Sequence, residues 1–156
     1  MSRELRDALG QWATGVAIVT TRDAEGDVGL TCNSFASVSL DPALVLWSIQ
    51  HSSNCYGAFK EAGYCVNILA ESDADVVWKF TKGDQSERFA GVPSTRLPSG
   101  RLRLDNAIAW FDCELHQNVP AGDHDILIGQ VQAFEAQPAP PVLFGAGQLG
   151  RLQALS

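Results

Sequence analysis

The sequence predicts a mainly β protein: a closed or partly open barrel of about six short antiparallel strands, flanked by a few short helices. Segments rich in β-branched or alternating apolar residues recur between turn residues, and none is joined to the next by the long helix that a parallel crossover requires. Closure of the barrel would remove the exposed edges of such short strands. The 156 residues contain no internal repeat, and their number and 46% hydrophobic content suit one domain over residues 1–156.

The first predicted element is a helix that Ser2 caps. Glu4 and Asp7 lie near its positive end, where carboxylates are favourable. Apolar residues recur at helical spacing, at Leu5, Ala8, Leu9 and Trp12. We expect this helix to cover one end of the barrel with its apolar face.

A β-hairpin is predicted after the helix. Residues 16–21 are rich in β-branched side chains, residues 23–27 carry turn-forming Asp and Gly, and residues 28–39 return as the second strand. An Asp-Pro turn then leads into residues 43–49, whose apolar run is nearly continuous. That run predicts a strand buried on both faces, at the centre of the barrel.

The second half of the chain combines short helices with longer strands. The predicted elements are a helix over residues 55–62 ended by Gly63, a strand over 64–69, a helix over 72–80, a loop-rich stretch over 93–103, strands over 108–116 and 125–135, and a short tail after the prolines at 138, 140 and 141. The helix over 72–80 places Val76, Val77 and Phe80 on one side, which we expect to be buried.

Charge argues against a nucleic acid as the partner. Lys and Arg number 11 and Asp and Glu number 18, which gives a formal charge of −7, and the sequence has no basic run or stripe. An anionic ligand therefore needs positive groups placed locally around it.

The cysteines and the first residues argue against two other classes of protein. The four cysteines, at 32, 55, 65 and 113, are widely separated and form no CxxC or Cys/His pattern, so we expect reduced, mostly buried thiols and no metal site. Residues 1–20 lack a basic start before a long apolar run, and no apolar stretch approaches the ~20 residues of a membrane helix. We expect a cytoplasmic protein without a membrane partner.

The most informative stretch is residues 29–42, which sets hydroxyls, an amide and small residues into a predicted strand. At a period of two, one face carries Thr31, Asn33, Phe35 and Ser37, and the other carries Leu30, Cys32 and Ser34. The resulting polar stripe suits hydrogen bonding to a flat ligand rich in heteroatoms. The alternative is a solvent-facing strand or a turn-rich connection, which is the usual role of isolated Ser and Thr.

Several short motifs follow one another along the chain. They are residues 12–21 (WATGVAIVTT), Asn33-Ser34-Phe35 followed by Ser37-x-Ser39-Leu40-Asp41-Pro42, Ser52-Ser53-Asn54, Asn67-Ile68-Leu69-Ala70, Arg88-Phe89-Ala90-Gly91-Val92 and Ala121-Gly122-Asp123-His124. An ordered set of this kind is far more specific than any one of its members. In this order the motifs resemble those of the flavin reductase family of the split-barrel flavoproteins.

The resemblance implies an FMN-binding split barrel, a Greek-key antiparallel β-barrel whose homodimer binds flavin in a groove near the subunit interface. It also implies an NAD(P)H-dependent flavin reductase, in which NADH or NADPH passes a hydride to FMN or FAD. The reduced flavin would then leave to serve a separate flavin-dependent monooxygenase. A weakly held, exchangeable flavin is expected because a carrier product must dissociate.

The same resemblance assigns candidate contacts to the flavin ring. Thr31, Asn33 and Ser34 are expected to reach the isoalloxazine ring and the ribityl chain. The backbone amides of Phe35, Ala36 and Ser37 are expected to add hydrogen-bond donors.

Candidate phosphate contacts lie in two other segments. Ser52, Ser53 and Asn54 precede a predicted helix whose first amides would attract phosphate, and the alternative role of these residues is simple N-capping. Lys82 and Arg88 are further phosphate candidates, and the alternative for each is a solvated surface charge.

His124 matches the family's histidine that faces nicotinamide or flavin. Hydride transfer requires no acid or base, so we expect His124 to position the dinucleotide by hydrogen bonding; the alternative is a loop histidine without a function. His51 and His116 have no partners at metal-ligand spacing, and a hydrolase would need them to meet a partner through folding. The glycine-rich residues 145–150 are not a dinucleotide-binding fingerprint, because no βαβ unit follows them.

One departure from the family keeps two other functions open. Many relatives carry a basic-aromatic pair near the end of the domain, where this sequence has Gln148 and Leu149. The first alternative is a flavin-binding electron carrier or sensor without nicotinamide-dependent activity. The second is a split-barrel oxidoreductase that acts on another substrate, such as a cobalamin or a quinone. Retained flavin without NAD(P)H oxidation would identify the first, and product formation without added free flavin would identify the second.

Overall fold

The fold is described from a computed structural model that covers residues 2–156. The helices are α1 (Arg3–Leu9), α2 (Tyr56–Phe59), α3 (Ala74–Lys79) and α4 (Gln85–Phe89), with one 3₁₀ turn at Glu71–Asp73. The strands are β1 (Thr14–Gly15), β2 (Ala17–Asp23), β3 (Gly26–Cys32), β4 (Ala36–Leu40), β5 (Ala43–Gln50), β6 (Tyr64–Ile68), β7 (Ser94–Arg96), β8 (Leu102–Leu104), β9 (Ala109–Ala121), β10 (His124–Ala136), β11 (Val142–Gly145) and β12 (Gln148–Arg151). Among the described residues, no helix has the length and apolar character needed to cross a bilayer.

Seven strands form the main sheet, in the order β3-β2-β6-β9-β10-β5-β4, and every neighbouring pair is antiparallel. The ends of β3 and β5 line one groove although these strands belong to opposite sides of the sheet order. The sheet therefore curls back on itself, as the barrel prediction requires. The mainly β, antiparallel prediction is confirmed.

The core has two parts, which lie on the two faces of β2. Ala17 and Val19 pack into the barrel interior, whereas Ile18 packs into a second cluster with Phe80 and other residues beneath α3. In the interior, the Trp47 ring meets the Phe59 ring edge-on with the centroids 4.9 Å apart. Because helices and the tail cover the outer face of β2, this strand is buried on both faces along residues 17–21.

The prediction that residues 43–49 are buried on both faces was wrong. Along β5, Val45, Trp47 and Ile49 are buried, while the residues between them are only partly covered. The apolar run of β5 therefore alternates in burial like that of an ordinary half-buried strand.

The second predicted strand, over residues 28–39, is in fact two strands. β3 ends at Cys32 because its partner β2 begins at Ala17, which lies opposite Cys32 in the register. The chain then bends at residues 33–35, and β4 pairs with β5 instead. The predicted alternation of faces therefore applies only as far as Cys32.

The first helix forms as predicted, but the position expected for it was wrong. The Ser2 hydroxyl accepts a hydrogen bond from Leu5 N–H at 3.1 Å, which caps α1. None of its seven residues is buried, and Leu9 remains 63% exposed. Within one chain, α1 does not cover an end of the barrel.

The remaining differences are local. The helix predicted over residues 55–62 shrinks to the four residues of α2. The loop-rich stretch contains the β7–β8 hairpin, and the predicted tail contains the β11–β12 hairpin, with β1 paired to β11. The prolines precede this last hairpin rather than end all pairing. The burial of Val76, Val77 and Phe80 is confirmed.

Candidate functional site

A groove of about 320 Å³ opens between the ends of β3 and β5. Five of the residues predicted from the sequence line it: Thr31, Asn33, Ser34, Ser53 and His124. The apolar residues of the lining are Leu30, which is half-buried, and Trp47 and Ile49, whose side chains are buried in the core. The fold thus brings three separate segments of the sequence to one polar and apolar surface.

Thr31 and Asn33 offer different hydrogen-bonding capacity to this groove. The Thr31 hydroxyl donates to Val77 O at 2.6 Å, so its oxygen retains only acceptor capacity. The Asn33 side chain is exposed and has no hydrogen-bond partner among residues 2–156. Asn33 therefore presents both a donor and an acceptor to a ligand.

Ser34 is used by the protein itself. Its hydroxyl oxygen accepts from Ser48 N–H at 2.9 Å and lies 3.3 Å from Ser48 O, to which it donates. In the register, Ala36 lies opposite Leu46, so Ser34 meets Ser48 two positions beyond the last residue pair of β4 and β5. The Ser34 hydroxyl thus takes the place of a backbone hydrogen-bond partner for Ser48 of β5. These hydrogen bonds hold the bend at residues 33–35 in place.

The next three predicted contacts do not line the groove. Phe35 is half-buried, and its ring stacks on Phe111 with centroids 5.7 Å apart. Ala36 and Ser37 are exposed on the edge strand β4. Contacts from their backbone amides to flavin stay a prediction.

The turn after β5 is stabilised by its own hydrogen bonds. Ser53 Oγ accepts from Cys55 N–H at 3.1 Å, and Ser53 O accepts from Tyr56 N–H at 3.1 Å. Two of the amides expected to attract phosphate, those of Cys55 and Tyr56, are thus already bonded within the turn. The N-cap of α2 is Cys55, which has no side-chain cap, and a contact of Ser53 with phosphate stays a prediction. Ser52 and Asn54 are exposed at this turn, and their predicted contact with phosphate is not tested by the fold.

The two predicted basic residues have unlike surroundings. Lys82 is exposed in the connection between α3 and α4. Arg88 is only 2% exposed, and its Nη1 donates to Gly29 O at 2.8 Å and to Phe80 O at 3.1 Å. The surface-charge alternative is therefore wrong for Arg88. Neither residue lines the groove between β3 and β5.

His124 begins β10 and lies opposite Gln50 of β5, at the rim of the groove. Its Nδ1 lies 2.7 Å from Asp123 Oδ1, and the hydrogen bond from His124 lowers the pKa of that carboxyl. A carboxylate can only accept, so Nδ1 carries the proton. Nε2 has no partner among residues 2–156 and is the nitrogen available to a ligand.

The sequence analysis missed a cluster centred on Asp125. This buried carboxylate contacts His51 Nε2 at 2.7 Å and accepts from Tyr56 Oη at 2.7 Å and Asn118 Nδ2 at 3.0 Å. Hydrogen bonds from Tyr56 and His51 lower the pKa of Asp125. The signal was present in the sequence, because Asp125 occupies an inward position of the alternation that continues with Leu127.

The cysteines have no disulfide partners in the described structure. Cys55, Cys65 and Cys113 are buried, and Cys32 is half-buried at the groove. Burial raises the pKa of the Cys32 thiol to about 12, so this side chain is a neutral thiol in the wall. Within residues 2–156, no three Cys, His, Asp or Glu side chains gather as a possible metal site.

These side chains suit an isoalloxazine ring. Leu30 can lie along the ring, while Asn33, Thr31 and His124 can meet the nitrogen and oxygen atoms at its rim. The Trp47 indole N–H is also buried without a hydrogen-bond partner among the described residues, although Trp47 forms part of this wall. The groove therefore combines an apolar contact at Leu30 with polar groups of Asn33 and His124 that no other described residue uses.

Known proteins match both the sequence and the fold. The flavin reductase like domain model matches residues 9–153. The reductase component of the flavin-dependent trigonelline monooxygenase of Acinetobacter baylyi is 48% identical over 134 residues, which are 85% of this chain and 43% of that protein. The chain thus spans less than half of the length of that relative.

Two further relatives are matched over most of both chains. An FMN reductase (NADH) of Agrobacterium fabrum is 38% identical over 96% of this chain and 86% of its own length. The solved flavin reductase of the styrene monooxygenase of Pseudomonas putida S12 has a TM-score of 0.84 and 30% identity, covering 96% of this chain and 98% of that one. Its likeness confirms the split-barrel fold that the motifs implied. Because the family model covers almost the whole domain, the chain belongs to the family of flavin reductase like domains.

Proposed function

We propose that this protein is an NAD(P)H:flavin oxidoreductase that supplies reduced FMN or FAD to a separate flavin-dependent monooxygenase. The observation that carries the proposal is the groove between β3 and β5, in which the free amide of Asn33 and the free Nε2 of His124 lie beside the apolar side chain of Leu30. The relatives named as an FMN reductase (NADH) and as monooxygenase reductase components support it.

A flavin bound in the groove would supply the electrophilic N5 that accepts a hydride from C4 of the nicotinamide. The protein's task is then to hold the two rings in register and to exclude competing contacts. Asn33 and Thr31 would fix the flavin rim, while Leu30 would offer an apolar contact to the ring. His124 would orient the nicotinamide through Nε2, because Asp123 keeps the proton on Nδ1.

The quaternary state and location are also proposals. Exposed apolar residues cluster on one side of α1 and just after it, at Leu5, Leu9 and Trp12, and β4 exposes Leu40 at its end. We propose that a second copy of the chain covers some of this surface, as the family resemblance implies. Light scattering would distinguish a dimer from a monomer. A reductase that draws on reduced nicotinamide nucleotides is expected in the cytoplasm.

The function is tested by anaerobic mixing of the purified protein with NADH or NADPH in the presence of FMN or FAD, while flavin bleaching and nicotinamide oxidation are followed. Catalytic bleaching would support the reductase and rank the four pairings. Bound flavin that stays oxidised would instead indicate an electron carrier or sensor.

A variant pair connects the activity to the groove. His124→Ala is expected to lower kcat/KM for the nicotinamide about tenfold or more, because the orienting hydrogen bond is lost. His116→Ala, at an exposed position on β9 outside the groove, is the matched control and should retain full activity. Equal losses in both variants would contradict the role of His124.

A further inference from the structure

A second cleft adjoins the groove on the other side of the Thr31–Asn33 segment. It measures about 130 Å³ and is lined by apolar side chains of Val16, Val77, Trp78 and Phe144, together with Thr31, Cys32 and Asn33. The three residues from 31 to 33 line both spaces, so a ligand in the groove and a ring in the cleft would be separated by one segment of chain.

Trp78 is the unusual feature of this cleft. Its side chain is 52% exposed, although Val76 and Val77 on the same helix are buried. Exposure of a large indole beside a polar groove is costly in water and is typical of a binding surface. The core does not account for this residue.

The helix that carries Trp78 is held firmly against β3. Thr31 Oγ1 donates to Val77 O at 2.6 Å, and Thr31 N–H donates to Phe80 O at 3.2 Å. These two bonds bracket Trp78 in the sequence and fix α3 relative to the groove wall. The indole is therefore presented to the cleft by an ordered backbone rather than by a loose loop.

We propose that Trp78 stacks against the adenine ring of the pyridine dinucleotide, so that this cleft is the adenosine subsite of NADH or NADPH. The inference rests on the proposed function. The nicotinamide must lie in the groove, within reach of His124, and the other end of the dinucleotide then needs a flat apolar surface close by.

Two features favour the pyridine nucleotide over the adenine of FAD as the occupant. The lining of the cleft includes no residue from β5 or from the Ser52–Asn54 turn. That turn is the predicted contact for the flavin phosphate, so we expect the phosphate end of the flavin to point away from the cleft. Lys82, which the sequence offered as a candidate contact for the flavin phosphate, is exposed four residues after Trp78, in the connection that follows α3. In this arrangement its charge would meet the diphosphate of the dinucleotide instead.

The test compares ligands with and without the adenosine end. In Trp78→Ala, the KM for NADH is expected to rise about tenfold, whereas the KM for reduced nicotinamide mononucleotide, which lacks adenosine, stays unchanged. Trp78→Phe, which keeps an aromatic ring, should recover much of the loss. Phe134→Ala removes an aromatic ring that is 69% exposed on β10 and outside the cleft, and it is the matched control.

A binding measurement keeps this inference separate from the reductase activity. Isothermal titration with ADP-ribose should give a dissociation constant about tenfold higher for Trp78→Ala than for the wild type, whether or not flavin is reduced. Equal constants would overturn the inference. A weakened complex with FMN, which has no adenine, would also overturn it, because Trp78 would then contact the flavin itself. If ADP-ribose binding depends on Trp78 but no flavin is reduced, the subsite stands and the proposed activity fails.

Discussion

Arg88 Nη1 donates to the carbonyl oxygen of Gly29 at 2.8 Å, across the outer edge of β3. Gln85, on the same helix, accepts from Gly29 N–H at 2.8 Å, and Phe80 O accepts from Thr31 N–H at 3.2 Å. Helix α4 and the turn before it thus satisfy the polar groups that an edge strand would leave unpaired. The groove wall at Thr31 is consequently held from its outer side.

Loss of the Arg88 side chain should destabilise the fold. In Arg88→Met, the carbonyl groups of Gly29 and Phe80 stay buried without this donor, so we expect the free energy of unfolding to fall by roughly 2–4 kcal/mol. Urea denaturation measures the change. Lys82→Met, at an exposed position, should alter stability by less than about 0.5 kcal/mol. An Arg88→Met protein with full stability and lost flavin affinity would contradict this role and favour a phosphate contact.

A methyl group at Gly29 should disturb the same contact between β3 and the helices. Its Cβ would lie 2.6 Å from Phe80 Cε1 and 2.9 Å from Phe89 Cζ, so the buried Phe80 ring and the half-buried Phe89 ring would have to shift. We expect Gly29→Ala to cost about 1–3 kcal/mol of unfolding free energy in the same denaturation experiment. Gly15→Ala, whose Cβ would meet nothing within 4 Å, is the control. Equal stability of the two variants would refute the packing argument.

Substitutions at the neighbouring residues Asn33 and Ser34 should differ in their effects on flavin binding and on the stability of the fold. Ser34→Ala leaves Ser48 N–H without its partner, so we expect a loss of about 1 kcal/mol in stability and weaker flavin binding. Asn33→Ala removes no hydrogen bond within the chain, so it should weaken flavin binding and leave the melting temperature unchanged. Thermal melts and flavin titrations measure the two effects. An unchanged melting temperature in Ser34→Ala would show that its hydroxyl is not needed to hold the bend.

The Asp125 carboxylate should make the stability of the folded protein depend on pH. Hydrogen bonds from Tyr56 and His51 lower its pKa in the folded protein. A carboxyl with a lowered folded pKa adds stability above its unfolded pKa of about 3.9, and this contribution is lost as the pH falls through the folded value. Asp125→Asn should therefore have a lower melting temperature near neutral pH and a smaller further loss in acid.

Thermal melts from about pH 7 down to about pH 3 measure the effect of Asp125. Asp41→Asn, which replaces an exposed carboxyl, serves as the control for removal of one negative charge. Parallel curves for the wild type and Asp125→Asn would show that the cluster does not contribute to the acid sensitivity.

The sequence by itself determined the elements that depend on near neighbours. The β2–β3 hairpin, the cap of α1 and the buried side of α3 were predictable because turn residues, caps and apolar spacing act over a few residues. The ordered motifs also indicated Thr31, Asn33 and His124, which the fold does bring to one groove. The length of the strand after β2 was not predictable in this way, since β3 ends at the residue that lies opposite the first residue of β2.

Only the tertiary structure decided which polar groups are used internally and which remain free for a ligand. Ser34 meets Ser48 across 14 positions of the sequence, Arg88 meets Gly29 across 59, and His51 meets Asp125 across 74. Each pair satisfies a polar group that would otherwise be left without a partner inside the protein, and the identity of that partner depends on which strands lie side by side. Asn33 and Nε2 of His124 remain available because no such neighbour reaches them within the described chain.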